Sequence, residues 1–152
     1  MRLPLAALVL ILAASAANAG IIAGRASVID GDTIQIHGEI IRLIDIEVPE
    51  SDEYCVQALG DVSWQCGQEA KLALTDLIGA SVVTCDTETQ DRYGRHLARC
   101  DVDGQDLATW MAETGWAVPN QDCQCEIVRA ASIRAQEAER GVWVGPFVLP
   151  WE

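Results

Sequence analysis

Apolar positions follow two different periods along this chain. At residues 26–29, 33–36 and 39–44 β-branched side chains alternate in part with polar ones, the two-residue repeat of strands with one face on a core. Asp30-Gly31 and His37-Gly38 interrupt these runs where turns belong, so a three-strand meander is predicted. Over 68–78 the repeat lengthens to that of a helix. Ala70, Leu72, Ala73, Leu74, Leu77 and Ile78 form its apolar side, and Gly79 ends it. A second hairpin is predicted at 81–87 and 95–102, a short helix at 106–113 before Gly115, and a longer one at 126–140 before Gly141. The order βββ-α-ββ-α-α contains no internal repeat. Five short strands with a helix after the third suit an α+β, mainly β fold, a five-stranded Greek-key barrel of the OB type with three helices. A βαβ sheet would alternate its elements.

The first nineteen residues read as a secretory leader. Arg2 supplies a positive start, residues 3–14 are an apolar run too short for a comfortable membrane span, and Ala17-Asn18-Ala19 is a small-x-small cleavage site. Cleavage after Ala19 leaves residues 20–152, with one barrel domain at 20–145 and a tail at 146–152. No stable membrane insertion is expected after cleavage, and the product is expected to be a periplasmic or extracellular monomer. Trp143, Phe147 and Trp151 lie dispersed among glycine and prolines, which predicts a strap packed over the barrel or the last helix.

Charge narrows the function classes. The chain carries 10 basic and 23 acidic residues, a formal charge of −13. Loss of Arg2 with the leader leaves 9 against 23, or −14, with Lys71 the single lysine. A polyanion binder that works by a broad basic surface is excluded. Any nucleic-acid chemistry must rest on a cation and a few local arginines. Most of the acidity reads as a solvated surface that keeps an exported chain soluble.

Six cysteines in an exported chain of this size read as a disulfide framework. If Arg92-Tyr93 tips the second hairpin, facing residue numbers sum to 185 and Cys85 lies opposite Cys100, within bonding range; a bulge at Gly94 would shift that register by one. Cys55 and Cys66 bracket a short polar stretch that a bridge would close. Cys123 and Cys125 are left, and a strained small ring, exchange with another pair and a free reducible pair all stay open. A zinc site is disfavoured, because Cys-x-Cys lacks a second half and His37 and His96 have no metal-type spacing.

The chemistry sits in two strings. One is Ile29-Asp30-Gly31-Asp32-Thr33-Ile34, closely followed by Ile41-Arg42-Leu43-Ile44-Asp45-Ile46-Glu47-Val48-Pro49-Glu50; the other is Asp91-Arg92-Tyr93-Gly94-Arg95. They combine acids able to hold a hard cation with two arginines and a further carboxylate, the equipment of metal-assisted phosphodiester hydrolysis. Taken singly, Asp30-Gly31-Asp32 reads as a plain turn, Arg42 as the partner of an acidic neighbour, Arg95 as the cap of a strand edge, and Glu50 as a loop charge. Their co-occurrence favours a site, since a basic residue inside an isoleucine-rich strand needs a polar partner.

In order and spacing these motifs, with Leu97-Ala98 and Thr114-Gly115-Trp116-Ala117, resemble the staphylococcal nuclease-like, or thermonuclease, family from about Ser27 to Trp143. The resemblance implies an OB-fold barrel and calcium-dependent cleavage of DNA and RNA, preferably single-stranded, leaving 3′-phosphate ends. It places Asp32, Glu47 and Val48 at one calcium ion, Arg42 and Arg95 on the scissile phosphate, and Glu50 at the attacking water. Arg92 and Tyr93 are left for flanking phosphates. Three departures stand out. Glu47 occupies the place of a second metal aspartate, one methylene longer. Asp45 stands where glycine or an apolar residue is common, and is expected either to add an unpaired charge or to serve as a ligand. Val118 to Cys123 lacks the tyrosines that help hold a nucleotide, which implies weaker base stacking. The alternatives are a catalytically impaired nucleic-acid or protein binding module of the envelope, and a structural envelope protein.

Overall fold

The computed structural model describes residues 19–57, 60 and 62–149. The leader predicted at 1–19 lies outside them apart from Ala19, and so does Trp151. Five strands build the barrel: β1 (Gly20–Asp30), β2 (Thr33–Ile36), β3 (Glu39–Leu43), β4 (Val82–Gln90) and β5 (His96–Val102). Three helices accompany them: α1 (Cys66–Ile78), α2 (Leu107–Glu113) and α3 (Glu126–Glu137). The strands run in the order β3-β2-β1-β4-β5, and a parallel pairing of β3 with β5 closes the ring. The mixed five-stranded OB-type barrel with three helices is therefore present.

Strand β1 is far longer than its predicted four residues because it serves two neighbours. Residues 26–30 pair with β2, and residues 20–25 pair with β4. Gly20, Ala23 and Gly24 are poor strand formers, so this first half has no local signature and is held by the ladder to β4. Ile34, Ile36, Ile41, Leu43, Val83 and Ala98 line the core from the strands. Ala70, Leu74 and Ile78 reach it from α1, and Leu107 and Met111 from α2, at the four-residue spacing of one helix face.

Cys85 faces Cys100 and is bonded to it, as the register sum requires. Facing numbers sum to 186 beside the turn and to 185 at the cysteines, because the register shifts between Thr87 and Thr89 and not at Gly94, which takes the left-handed conformation of the turn at φ 80°. Cys55 is bonded to Cys66, and Cys123 to Cys125 in the small ring, so exchange and a free pair are both set aside. Helix α3 ends three residues before its predicted limit. Glu139 turns left-handed at φ 52°, and its N–H and that of Arg140 return to the Gln136 and Ala135 carbonyls, the closing pattern of a Schellman cap.

The strap takes a different course from the one predicted. Trp143 and Phe147 meet edge to face at 5.8 Å and pack with Val142 and Trp64 on the Cys55–Cys66 disulfide, at the start of α1. Its entry needs two glycines. A Cβ on Gly115 would stand 2.2 Å from the Arg140 carbonyl oxygen, and one on Gly141 2.2 Å from that of Gly115.

Candidate active site

The barrel brings the first string of acids and its arginine together through register. Thr33 faces Arg42 across β2 and β3, which sets Arg42 beside Asp32 at the mouth of the β1–β2 turn. Arg42 Nη1 lies 2.6 Å from Asp32 Oδ2, and Nη2 donates to Glu47 Oε2 at 2.8 Å. Asp32 is buried, its other oxygen accepting from the Thr33 hydroxyl at 2.8 Å. Burial pushes its carboxyl above the usual range, with Asp30 and Glu47 adding to the push and Arg42 and Thr33 opposing it. Burial works against the Arg42 charge too, but Asp32 and Glu47 outweigh it and hold the guanidinium above its ordinary value.

Glu47 is carried by a two-residue strand, Ile46–Glu47, paired with Val118–Pro119. Val48 buries its side chain in the core, so its backbone carbonyl is the one group it can offer a cation. Glu50 stands on the following loop, exposed, and its neighbour Ser51 donates its hydroxyl to Asp30. Burial and the neighbouring acids Asp30 and Asp32 raise the Glu50 carboxyl above the normal glutamate range, against the pull of Arg42.

Asp30 is a site residue that pattern reading missed. Its Oδ1 accepts from the Ser51 hydroxyl and from the Gly31 N–H, each at 2.8 Å, which ties the Glu50 loop to the β1–β2 turn. A β-bulge between Val28 and Asp30 breaks the alternation there, so strand periodicity could not place this side chain. The available signal was chemical: two acids flanking one glycine.

The second string forms its own group. Arg95 Nε meets Asp91 Oδ2 at 2.7 Å, and Asp91 Oδ1 accepts from the N–H groups of Tyr93 and Arg95. Slight burial opposes it, but these bonds and the Arg95 charge hold the Asp91 carboxyl below its usual range. The Arg92 and Arg95 guanidiniums lie 4.8 and 5.7 Å from the Tyr93 ring centroid. Among the described residues no ion pair joins Arg95 to the Asp32–Arg42–Glu47 group. The parallel β3–β5 pairing nevertheless sets Arg42 beside Leu97, two residues along from Arg95.

Beside Glu47 opens a cleft of about 670 Å³ bordered by Asp45, Leu97, Arg99, Asn120 and Gln121. Asp45 is ion-paired with Arg99, which corrects the expectation of an unpaired charge. It sits at φ 71°, a conformation that favours glycine. Asn120 Oδ1 is buried without a hydrogen-bond partner among the described residues. The cleft thus presents amides where the resemblance led us to look for tyrosines.

The donor set fits a hard cation in kind. Asp32 and Glu47 supply oxygen only and converge on one positive charge, Arg42. Among the described residues no third histidine, cysteine or acid completes a metal-type cluster, so further ligands fall to backbone carbonyl, solvent and substrate.

Residues 40–145 match the family described as staphylococcal nuclease homologue. The chain belongs to this family. It is also similar to the succinoglycan biosynthesis protein ExoI of Rhizobium meliloti (strain 1021), 38% identical over 124 residues, covering 80% of this chain and 64% of that protein. A further relative is an uncharacterized protein of Bacillus anthracis, 28% identical over 127 residues, covering 75% of this chain and 56% of the relative. The chain thus spans less than two thirds of the length of these curated relatives. The family match begins inside the meander, after Asp32, and the β2–β3 pairing restores Asp32 to the arginine that the match contains.

Proposed function

We propose that the chain is an exported, calcium-dependent nuclease that hydrolyses phosphodiester bonds of DNA and RNA to 3′-phosphate ends, preferring single strands. The observation that carries this reading is the Arg42 fork shared by Asp32 and Glu47, with the Glu50 loop tied beside it by the Ser51–Asp30 bond, in a member of the nuclease homologue family.

Asp32, Glu47 and the Val48 carbonyl would hold the ion, and bound there it would supply a Lewis acid for a phosphate oxygen. The protein's own residues do the rest. Glu50 holds the attacking water and takes its proton as the new P–O bond forms and the bond to the 5′ oxygen breaks. That oxygen leaves with a proton as a 5′-hydroxyl, and the phosphate stays on the 3′ end. Arg42 and Arg95 receive the charge that builds on the phosphoryl oxygens. Tyr93 offers a ring and Arg92 a charge to a flanking nucleotide, a local substitute for the basic surface that the chain lacks.

Export is supported by the leader pattern and by three disulfides, which persist in oxidising compartments. Among the described residues no helix is long and apolar enough to cross a membrane. The test is degradation of denatured DNA and of RNA by the oxidised protein, with calcium or a chelator, beside Arg95→Ala. Calcium-dependent cleavage lost in the variant supports the enzyme. A folded, disulfide-intact chain that cuts nothing with any divalent ion would instead be a nucleic-acid or protein binding module, the reading that Glu47 and the net acidity favour.

A further inference from the structure

Glu50 lies on an exposed loop, yet its backbone is held on three sides. A Cβ added to Gly67 would stand 1.6 Å from the Glu50 carbonyl oxygen, 2.5 Å from its carbon and 3.1 Å from Ser51 Cα. No side chain beyond hydrogen fits there. Gly67 does not adopt a left-handed φ, so its backbone conformation does not call for glycine. Glycine is also a poorer helix former than alanine. Close approach of the loop is therefore the service this residue gives.

The neighbouring bonds point the same way. Gly67 N–H donates to the Glu53 carbonyl at 3.3 Å, and Glu53 N–H donates to that of Glu50 at 2.8 Å. Glu53 Oε2 in turn accepts from Glu50 N–H at 2.9 Å, closing a ring between the two residues. Cys66, immediately before Gly67, is buried and bonded to Cys55, two residues beyond Glu53. The strap packs on that bond through Trp143 and Phe147.

We propose that the first turn of α1 is the seat that positions Glu50, with Gly67 as the contact surface and the Cys55–Cys66 disulfide as the clamp. Gly67 is a positioning residue and touches no substrate. The proposal rests on the role given to Glu50 above.

The test uses the full oxidised chain, Gly67→Ala, the double variant Cys55→Ala with Cys66→Ala, and each of these combined with Glu50→Gln. Two quantities are read: kcat and KM on denatured DNA with calcium, and amide hydrogen exchange at Glu53, which needs no activity. Gly67→Ala should lower kcat about a hundredfold, the scale of a misplacement of about 1 Å, with KM within about twofold. Its Glu53 amide should exchange faster while the melting temperature stays above that of the assay. In the Glu50→Gln background the same change should cost nothing further, because both act through one carboxylate.

Equal losses of kcat in both backgrounds would overturn the proposal, as would unchanged Glu53 exchange in the folded variants. If Gly67→Ala does not fold, the cysteine pair carries the same comparison. A wild-type chain that cuts nothing sinks the nuclease reading by itself, and Glu53 exchange still decides whether the seat exists.

Discussion

Arg42 is shared between two carboxylates, with Nη1 at 2.6 Å from Asp32 and Nη2 at 2.8 Å from Glu47. Asp32 is the buried member of this trio, and with Arg42 gone its charge would lie in the barrel mouth without that partner. Breaking a buried pair from one side costs about 3 kcal/mol or more, whereas removing both charges costs less. Arg42→Ala should therefore lower the unfolding free energy by about 3 kcal/mol, and Asp32→Asn in the same chain should recover part of it. Urea unfolding of the two singles and the double checks this. Additive losses would show that the pair is not coupled. Activity behaves differently: losing one preorganised donor costs about a hundredfold to a thousandfold, and the second substitution returns none of it.

Arg95 makes the opposite case, because its ion pair with Asp91 lies on a turn at the surface, partly exposed, and not in the barrel mouth. Such pairs add little to stability. Arg95→Ala should leave the melting temperature nearly unchanged and lower cleavage of denatured DNA by a hundredfold or more. Arg95→Lys should not restore the rate, since an ammonium cannot present a planar fork. A full rate in Arg95→Ala would reduce the residue to a turn-stabilising role.

These two arginines show what the sequence made legible. Strand periodicity, turn dipeptides and glycine helix stops located the barrel, and facing-residue arithmetic placed Cys85 opposite Cys100. Motif order singled out Asp32, Arg42 and Glu47, which the β2–β3 register and the strand at Ile46–Glu47 then assembled. What stayed hidden depends on contacts distant in sequence. The first half of β1 is a strand because β4 lies beside it. Asp30 joins the site through a bulge, and the strap finds the Cys55–Cys66 bond instead of the barrel wall. Arg99, which neutralises Asp45, sits 54 residues away from it and carried no motif.

The acidic surroundings of Glu50 make the rate depend on pH in a definite direction. Burial first, then the neighbouring acids Asp30 and Asp32, hold the Glu50 carboxyl above its ordinary value. A base acts deprotonated, so the acid limb of kcat/KM at saturating calcium should lie above the normal glutamate range, near pH 4.3. Asp30→Asn removes a like charge and supplies an amide donor to the carboxylate. The limb should move to lower pH in this variant, as a pH series of initial rates would show. For stability the sign is the reverse of a salt-bridged acid. A raised carboxyl contributes stability that is fully present below its unfolded value and is lost as pH rises through the folded one. An unmoved limb in Asp30→Asn would detach Glu50 from Asp30, or the limb from Glu50.

Calcium should act on folding as well as on rate. The Asp32 carboxyl is raised chiefly by burial, which means that its charged form is poorly solvated even with Arg42 in place. A divalent cation held by Asp32 and Glu47 offsets that cost only in the folded chain, because unfolding separates the two carboxylates. Binding to the folded state alone stabilises by about 2.7 kcal/mol when free calcium reaches a hundredfold over its dissociation constant. The melting temperature should therefore climb with millimolar calcium, and Asp32→Asn or Glu47→Gln should flatten the climb. Magnesium should give a smaller rise, since it demands tighter octahedral geometry and sheds its water reluctantly. Acidification should shrink the calcium effect, because protons compete for a carboxyl that already binds them above its usual range. A melting temperature indifferent to millimolar calcium would remove Asp32 and Glu47 from the metal role and leave Arg42 as their counter-ion.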